Sequence, residues 1–253
     1  MDRREFNRGL GAIGAVALVP PGLQTTLHSL HDQGKGFQSM TAPLPKSVAG
    51  IRLVDSPVAK AAVELAREVS PPYLFNHAMR TYLLGALVGK AAGQRYDEEL
   101  LYLACVLHDL GLTDRFAGEM PFEIEGAIAA EAFLRERGVS AERSSIVWDG
   151  IAMHPLAIAG HKRPEIALVA VGAGADVVGA DMAKVTSDDR DAVLHAFPRL
   201  GFKHAFVATC ADIVAHHPHG ASRGFMRDIG ERKVPGFHPG NICDAIAAAP
   251  FEE

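Results

Sequence analysis

From Val58 onward, apolar residues recur at three- and four-residue spacing in one segment after another, and no run alternates convincingly with a period of two. A repeat near 3.6 residues is that of a helix with one apolar face, so the pattern predicts an all-α fold. The predicted helices cover 57–69, 73–92, 98–108, 122–137, 141–154, 165–182, 188–196, 202–216 and a short 242–248. Their ends carry the expected chemistry. Asp97 and Ser140 are N-cap residues, two acids follow Asp97 in the first turn, and Pro121 and Gly138 frame the segment 122–137.

The segment 98–108 is strongly apolar, with Leu100, Leu103, Ala104 and Leu107 at helical spacing, and it ends in His108-Asp109 with Gly111 expected as its stop. A charged carboxylate emerging from an apolar wall costs several kcal/mol unless a partner or a cation meets it. On its own the dipeptide reads equally well as a turn-capping Asp beside a core His. Two further residues change that balance. His77 sits in an apolar helix opened by Pro71-Pro72, and Asp176 is nearly the only polar side chain between Ile166 and Ala180. A bound metal explains all four. Imidazole and carboxylate together suit Zn, Fe, Mn or Ni rather than Ca or Cu(I).

Composition fits a compact domain: of 253 residues, 48% are hydrophobic and 22% charged, enough to bury a substantial core. A net charge of -5 argues against a nucleic-acid surface, where a basic stripe is expected. Only 7% of residues are aromatic, which favours packed helices over a sandwich. Cys105, Cys210 and Cys243 make an odd count without CxxC spacing, so neither a disulfide framework nor a thiolate zinc site is supported.

The first fifty residues differ in character. Arg3-Arg4 and Phe6 precede a short Gly- and Ala-rich apolar run from Gly9 to Val19, a pattern similar to a twin-arginine export signal over 1–23. That run is too short for a conventional membrane span, so no stable span is expected. The periplasm is the expected location, with the cytoplasm as the alternative. A linker or wrapping segment is read over 24–50, the main domain over 51–217 and a C-terminal extension packed on it over 218–253.

Four strings carry a family resemblance: SPPYLFNHAMRTYLLG at 70–85, LACVLHDLGLTD at 103–114, MPFEIEG at 120–126 and AFPRLGF at 196–202. In this order, from about 51 to about 208, the chain resembles the cyanamide hydratase family within the HD-domain superfamily. The resemblance implies an all-α HD-domain bundle holding one divalent transition-metal ion, typically zinc, on His77, His108, Asp109 and Asp176. It also implies hydration of cyanamide to urea, or of a related small nitrile to an amide, which makes the chain a lyase acting on a small molecule. The leader and the tail beyond about 216 do not match the family.

Further residues complete the expected site. Glu123 reads either as a solvated partner of the helix dipole or, through the resemblance, as part of the segment bordering the active site. His154, at a predicted helix end and between the His-Asp pair and Asp176, is the stronger candidate to face the metal. His161 is the weaker one. Asp109, Glu123 and His154 are the expected catalytic groups, with Trp148, Phe116 and Phe122 as candidate walls. The His216-His217-Pro218-His219 cluster reads as an ordinary helix end. The rival activity is that of a phosphohydrolase acting on a nucleotide or other phosphate ester, which needs cations for the phosphate. Arg80, Arg115, Lys162 and Lys184 are the candidates, but no Gly-rich phosphate loop appears. A homo-oligomer is compatible with the sequence.

Overall fold

The structure, a computed structural model, describes residues 43–250. The export signal expected over 1–23, and the linker up to residue 42, lie outside the described residues. Among the described residues ten α-helices follow in order: α1 Pro57–Val69, α2 Pro72–Ala91, α3 Glu98–Leu107, α4 Phe122–Glu136, α5 Ala141–Met153, α6 Pro164–Val178, α7 Ser187–Ala196, α8 Phe202–His216, α9 Gly224–Lys233 and α10 Ile242–Ala247. The all-α expectation holds.

A small hairpin precedes the helices, pairing β1 Ser47–Val48 with β2 Ile51–Arg52 in antiparallel register. Its two turn residues, Ala49 and Gly50, both take positive φ, the geometry that matches the twist of a two-residue hairpin. Strands of two residues are too short to show an alternating pattern, so the sequence did not announce them. Val48 and Ile51 are buried with Leu53 and Val54 in the main core, so the last part of the expected linker packs as core.

Helix starts follow the predicted caps: the side chains of Asp97 and Ser140 accept from the amides of Leu100 and Arg143. Two ends depart from expectation. The apolar pattern through residue 182 predicts a longer sixth helix, but Gly179 turns left-handed at φ 78° and ends α6 at Val178. Gly111 does not take a positive φ; α3 ends at Leu107 and a 3-10 turn, Leu110–Leu112, follows. This glycine answers to packing, because a Cβ there would stand 1.9 Å from the carbonyl oxygen of Phe122. α9 was not foreseen, since its two glycines and many charges leave little apolar stripe.

α3 is buried on every side from Leu100 to Leu107, as a helix at the centre of a bundle must be. α2 is buried along most of its length and packs closely on α6. Glycines permit that approach: a Cβ on Gly85 would meet the Leu168 carbonyl oxygen at 2.5 Å, and one on Gly172 the Thr81 oxygen at 2.0 Å. The small residues bring α2 and α6 together just where they carry His77, Arg80 and Asp176. A second apolar cluster, including Leu74, Leu112, Phe122, Phe202, Phe206 and Cys210, lays α8 and α9 over the first turns of α2 and α4.

Candidate metal centre

His77, His108 and Asp109 meet between α2 and the end of α3, with at most 4% of any of these residues exposed. His77 lies in the second turn of α2, which the Pro71-Pro72 start fixes in phase. His108 caps α3, and Asp109 opens the 3-10 turn that Gly111 lets pack against α4. The Nε2 atoms of the two histidines stand 3.3 Å apart, and Asp109 Oδ2 lies 3.2 Å from His108 Nε2 and 3.5 Å from His77 Nε2.

The hydrogen bonds on the far side of each ring fix the chemistry of this meeting point. His108 Nδ1 donates to the Cys105 carbonyl at 2.8 Å, and His154 Nδ1 to the Ile151 carbonyl at 2.7 Å. A carbonyl only accepts, so both rings carry their proton on Nδ1. His77 Nδ1 is held by Asp176 Oδ2 at 2.7 Å. In the neutral rings all three Nε2 atoms are therefore left as lone pairs. Two of them point at each other beside a buried carboxylate neither of whose oxygens accepts a hydrogen bond. Three electron-rich groups converging without a donor need a cation or a proton between them. Histidines with Nδ1–H anchored to carbonyl or carboxylate are the usual partners of a metal ion, so the donor set fits one.

Asp176 lies on the other side of the His77 ring from that meeting point. Arg80 grips its carboxylate with Nε at 2.8 Å and Nη2 at 2.7 Å, and Arg199 Nη1 reaches Oδ1 at 2.6 Å and the Asp176 carbonyl at 2.9 Å. The second Arg80 nitrogen donates to the carbonyls of Phe197 and Pro198. The four ligands expected from sequence thus divide into three that converge and one that orients His77 from behind. The cause is charge: two guanidinium groups occupy both oxygens of the fourth.

Burial and charge act against each other throughout the site. Burial alone would raise the Asp109 carboxyl, but the charges of His108 and His77 hold it down at about 2. Burial also opposes the charge on Asp176, yet the bonds from His77 and Arg80 keep it well below the usual carboxylate range. Burial dominates at His77 and lowers its pKa, whereas at His108 burial, the largest single influence, is outweighed by Asp109, the Cys105 carbonyl and Asp176 together, which raise it. Burial and the neighbouring His108 push His154 down to about 3, so its ring is neutral at physiological pH.

The other expected residues take different places. His154 caps α5, its ring edge-on to His108 with centroids 4.9 Å apart and close to Phe122 at 5.7 Å, so it faces the cluster. Glu123, one residue beyond Phe122, is partly buried, and burial raises its carboxyl; it makes no side-chain hydrogen bond to the cluster. His161 is exposed in a 3-10 turn, Ala157–His161, and His216 and His219 are exposed past the site. Trp148 and Phe116 pack on the main core, while Phe122 forms part of the wall beside His154.

The sequence reading missed the roof. Phe202 and Phe206 of α8 pack on the His77 ring at 4.8 and 5.8 Å, and Arg80 and Arg199 lie over the Phe202 ring. Tyr73 bonds Thr209 across the same gap, next to Cys210, whose thiol burial pushes up. Arg199 and Phe202 both fall in the AFPRLGF string, and Phe206 follows four residues on, the spacing that shares a helix face.

Residues 74–177 match the family model of the HD domain. That match spans the buried cluster and Asp176, from His77 onward. Over these residues the chain is similar to HD domains. It is similar to two proteins of Saccharomyces cerevisiae, cyanamide hydratase DDI2 and cyanamide hydratase DDI3. To each it is 25% identical over 207 residues, covering 79% of this chain and 91% of the yeast protein. These likenesses indicate an enzyme, its buried His/Asp cluster is suited to a divalent metal, and among its described residues no helix is long and apolar enough to cross a membrane.

Proposed function

We propose that this chain is a metal-dependent hydratase that adds water to cyanamide or a related small nitrile, giving urea or an amide. One observation supports the choice over phosphate chemistry: the guanidinium groups that reach the site, Arg80 and Arg199, are both spent on Asp176. Arg80 is wholly buried and Arg199 mostly so. Arg115 is bound to Glu68 and Lys184 to Asp181, both on the surface, and Lys162 is exposed in the loop beyond His161. A phosphoryl group needs uncommitted cations, and a nitrile does not.

His77, His108 and Asp109 would hold the ion, with Asp176 fixing the His77 ring; zinc suits imidazole and carboxylate ligands. Bound there, a divalent ion supplies water acidic enough to lose a proton near neutral pH. The water oxygen adds to the nitrile carbon while one C–N π pair moves to nitrogen and takes up a proton. A second proton then passes from oxygen to nitrogen to give the amide. Asp109 remains ionised at working pH and orients the water through the oxygen not turned to the histidines. The lone pair on His154 Nε2 accepts a proton from the water, and that proton returns to Glu123 once the product has formed, which resets both groups. Glu123, whose carboxyl burial shifts toward the protonated form, is the donor to the substrate nitrogen. Phe122, Phe202 and Phe206 exclude bulk water and favour a small, weakly polar substrate. Urea release from cyanamide, set against orthophosphate release from nucleotides and phosphate monoesters, tests this reading.

A further inference from the structure

On the face made by the hairpin and α1 there is a cavity of about 490 Å³, within the range of small-molecule sites. Leu53, Val54 and Val63 form apolar walls, and Pro43 to Lys46 close one side. Also lining it is Tyr102 of α3, a fully buried residue whose hydroxyl has no hydrogen-bond partner among the described residues. Its ring is set by an edge-on contact with Tyr82, at 4.7 Å between centroids. An unpaired buried hydroxyl is a costly feature, and one that also lines a cavity marks a place where a ligand atom completes the bonding.

Charge defines that atom. Lys46, Arg52, Lys60 and Arg67 line the cavity against only two acids, Asp55 and Glu64. Arg52 is already engaged with Glu98 and Asp55. Arg67 is half-buried, its guanidinium lying 5.0 Å over the Phe75 ring, and burial with no compensating carboxylate weakens its hold on its proton. Tyr102, neutral because burial raises its phenol, donates one hydrogen bond, and Arg67 offers a planar fork.

We infer that this cavity, separate from the histidine cluster, is a binding site for a small monocarboxylate with an apolar body. The carboxylate lies between the Tyr102 hydroxyl and Arg67, and the hydrocarbon lies along Leu53, Val54 and Val63. An aliphatic acid of medium chain length satisfies the orphan hydroxyl, the positive rim and the apolar wall together. Phosphate or a nucleotide would satisfy the rim and leave most of the wall uncovered.

Isothermal titration of the full-length, metal-loaded protein with octanoate tests the inference, with 1-octanol and inorganic phosphate as probes lacking the carboxylate or the tail. Saturable octanoate binding is expected, with neither control matching it. Arg67→Gln and Tyr102→Phe should each weaken octanoate about tenfold, the loss of one hydrogen bond to a charged group. Lys60→Glu at the rim should weaken it as well. Tyr102→Phe keeps the ring and removes an unsatisfied group, so its melting temperature without octanoate should be no lower than that of the wild type, which keeps the test independent of folding. Absence of octanoate binding, octanol binding as tightly as octanoate, or unaltered affinity in Arg67→Gln would each overturn the assignment.

Discussion

His77 and His108 present their Nε2 atoms to each other at 3.3 Å, each having its Nδ1 committed to an oxygen on the opposite side. Neither nitrogen can donate to the other in that state, and the nearest carboxylate, Asp109, has no donor of its own. Without a cation or an added proton the arrangement is repulsive. With one, every group has a partner.

The first prediction follows from that imbalance. His108→Ala and Asp109→Asn should each lose bound metal, read by elemental analysis after dialysis. Far-UV circular dichroism of the metal-free variants should show the wild-type helical content, so that the loss is of a ligand and not of the fold. A stoichiometric metal complement in Asp109→Asn would remove the carboxylate from the shell.

Asp176 carries a different expectation. Asp176→Asn should weaken metal binding about 10- to 100-fold, since it orients His77 rather than holding the ion. In the metal-free protein, leaving two guanidinium groups without their carboxylate should cost about 3 kcal/mol at neutral pH. The folded carboxyl titrates below its unfolded value of about 3.9, so its stabilisation is full above that pH and fades as pH falls toward the folded pKa. The stability gap between wild type and Asp176→Asn should therefore narrow below about pH 4. A gap that widens on acidification would contradict the ion-pair account.

Much of this was legible in the sequence, and the reasons are specific. Helix starts are written locally, in Asp97, Ser140 and the prolines, and most ends were placed within one residue. α6 was overrun because one glycine in the left-handed conformation outweighs an apolar pattern that continues past it. The convergence of His77 with His108-Asp109 could be guessed from chemistry and resemblance. The position of Asp176 behind His77 could not, because it depends on Arg199, a residue 23 positions on in a loop without periodicity. The aromatic roof was equally hidden: α8 reads as an ordinary amphipathic helix until its Phe202 and Phe206 are seen against the His77 ring.

The proton-handling groups give a prediction of another kind. Glu123→Gln and His154→Ala should each lower turnover about 10²- to 10⁴-fold while the metal stays bound. Lys162→Ala, in an exposed loop, should leave turnover within about twofold, as surface substitutions away from the chemistry usually do. Steady-state kinetics paired with metal analysis on each variant separates the cases. Wild-type kcat in Glu123→Gln would remove that carboxyl from the reaction.

Gly172 links packing to the site. Its substitution by Ala should destabilise the protein by about 1–3 kcal/mol despite the better helix propensity of Ala, because the new Cβ has no room against the Thr81 carbonyl oxygen. Pushing α6 from α2 also separates Asp176 from His77, so metal affinity should fall with stability. Denaturant titration alongside metal binding checks both. A stable Gly172→Ala with unchanged affinity would show that the close helix approach does not set the site.

The most direct test is the product formed from cyanamide by the purified protein after reconstitution with zinc. Catalytic release of urea is expected, abolished in Asp109→Asn and undetectable in the metal-stripped wild type until zinc is restored. Orthophosphate from nucleotides or phosphate monoesters under the same conditions, with no urea from cyanamide, would contradict the hydratase account.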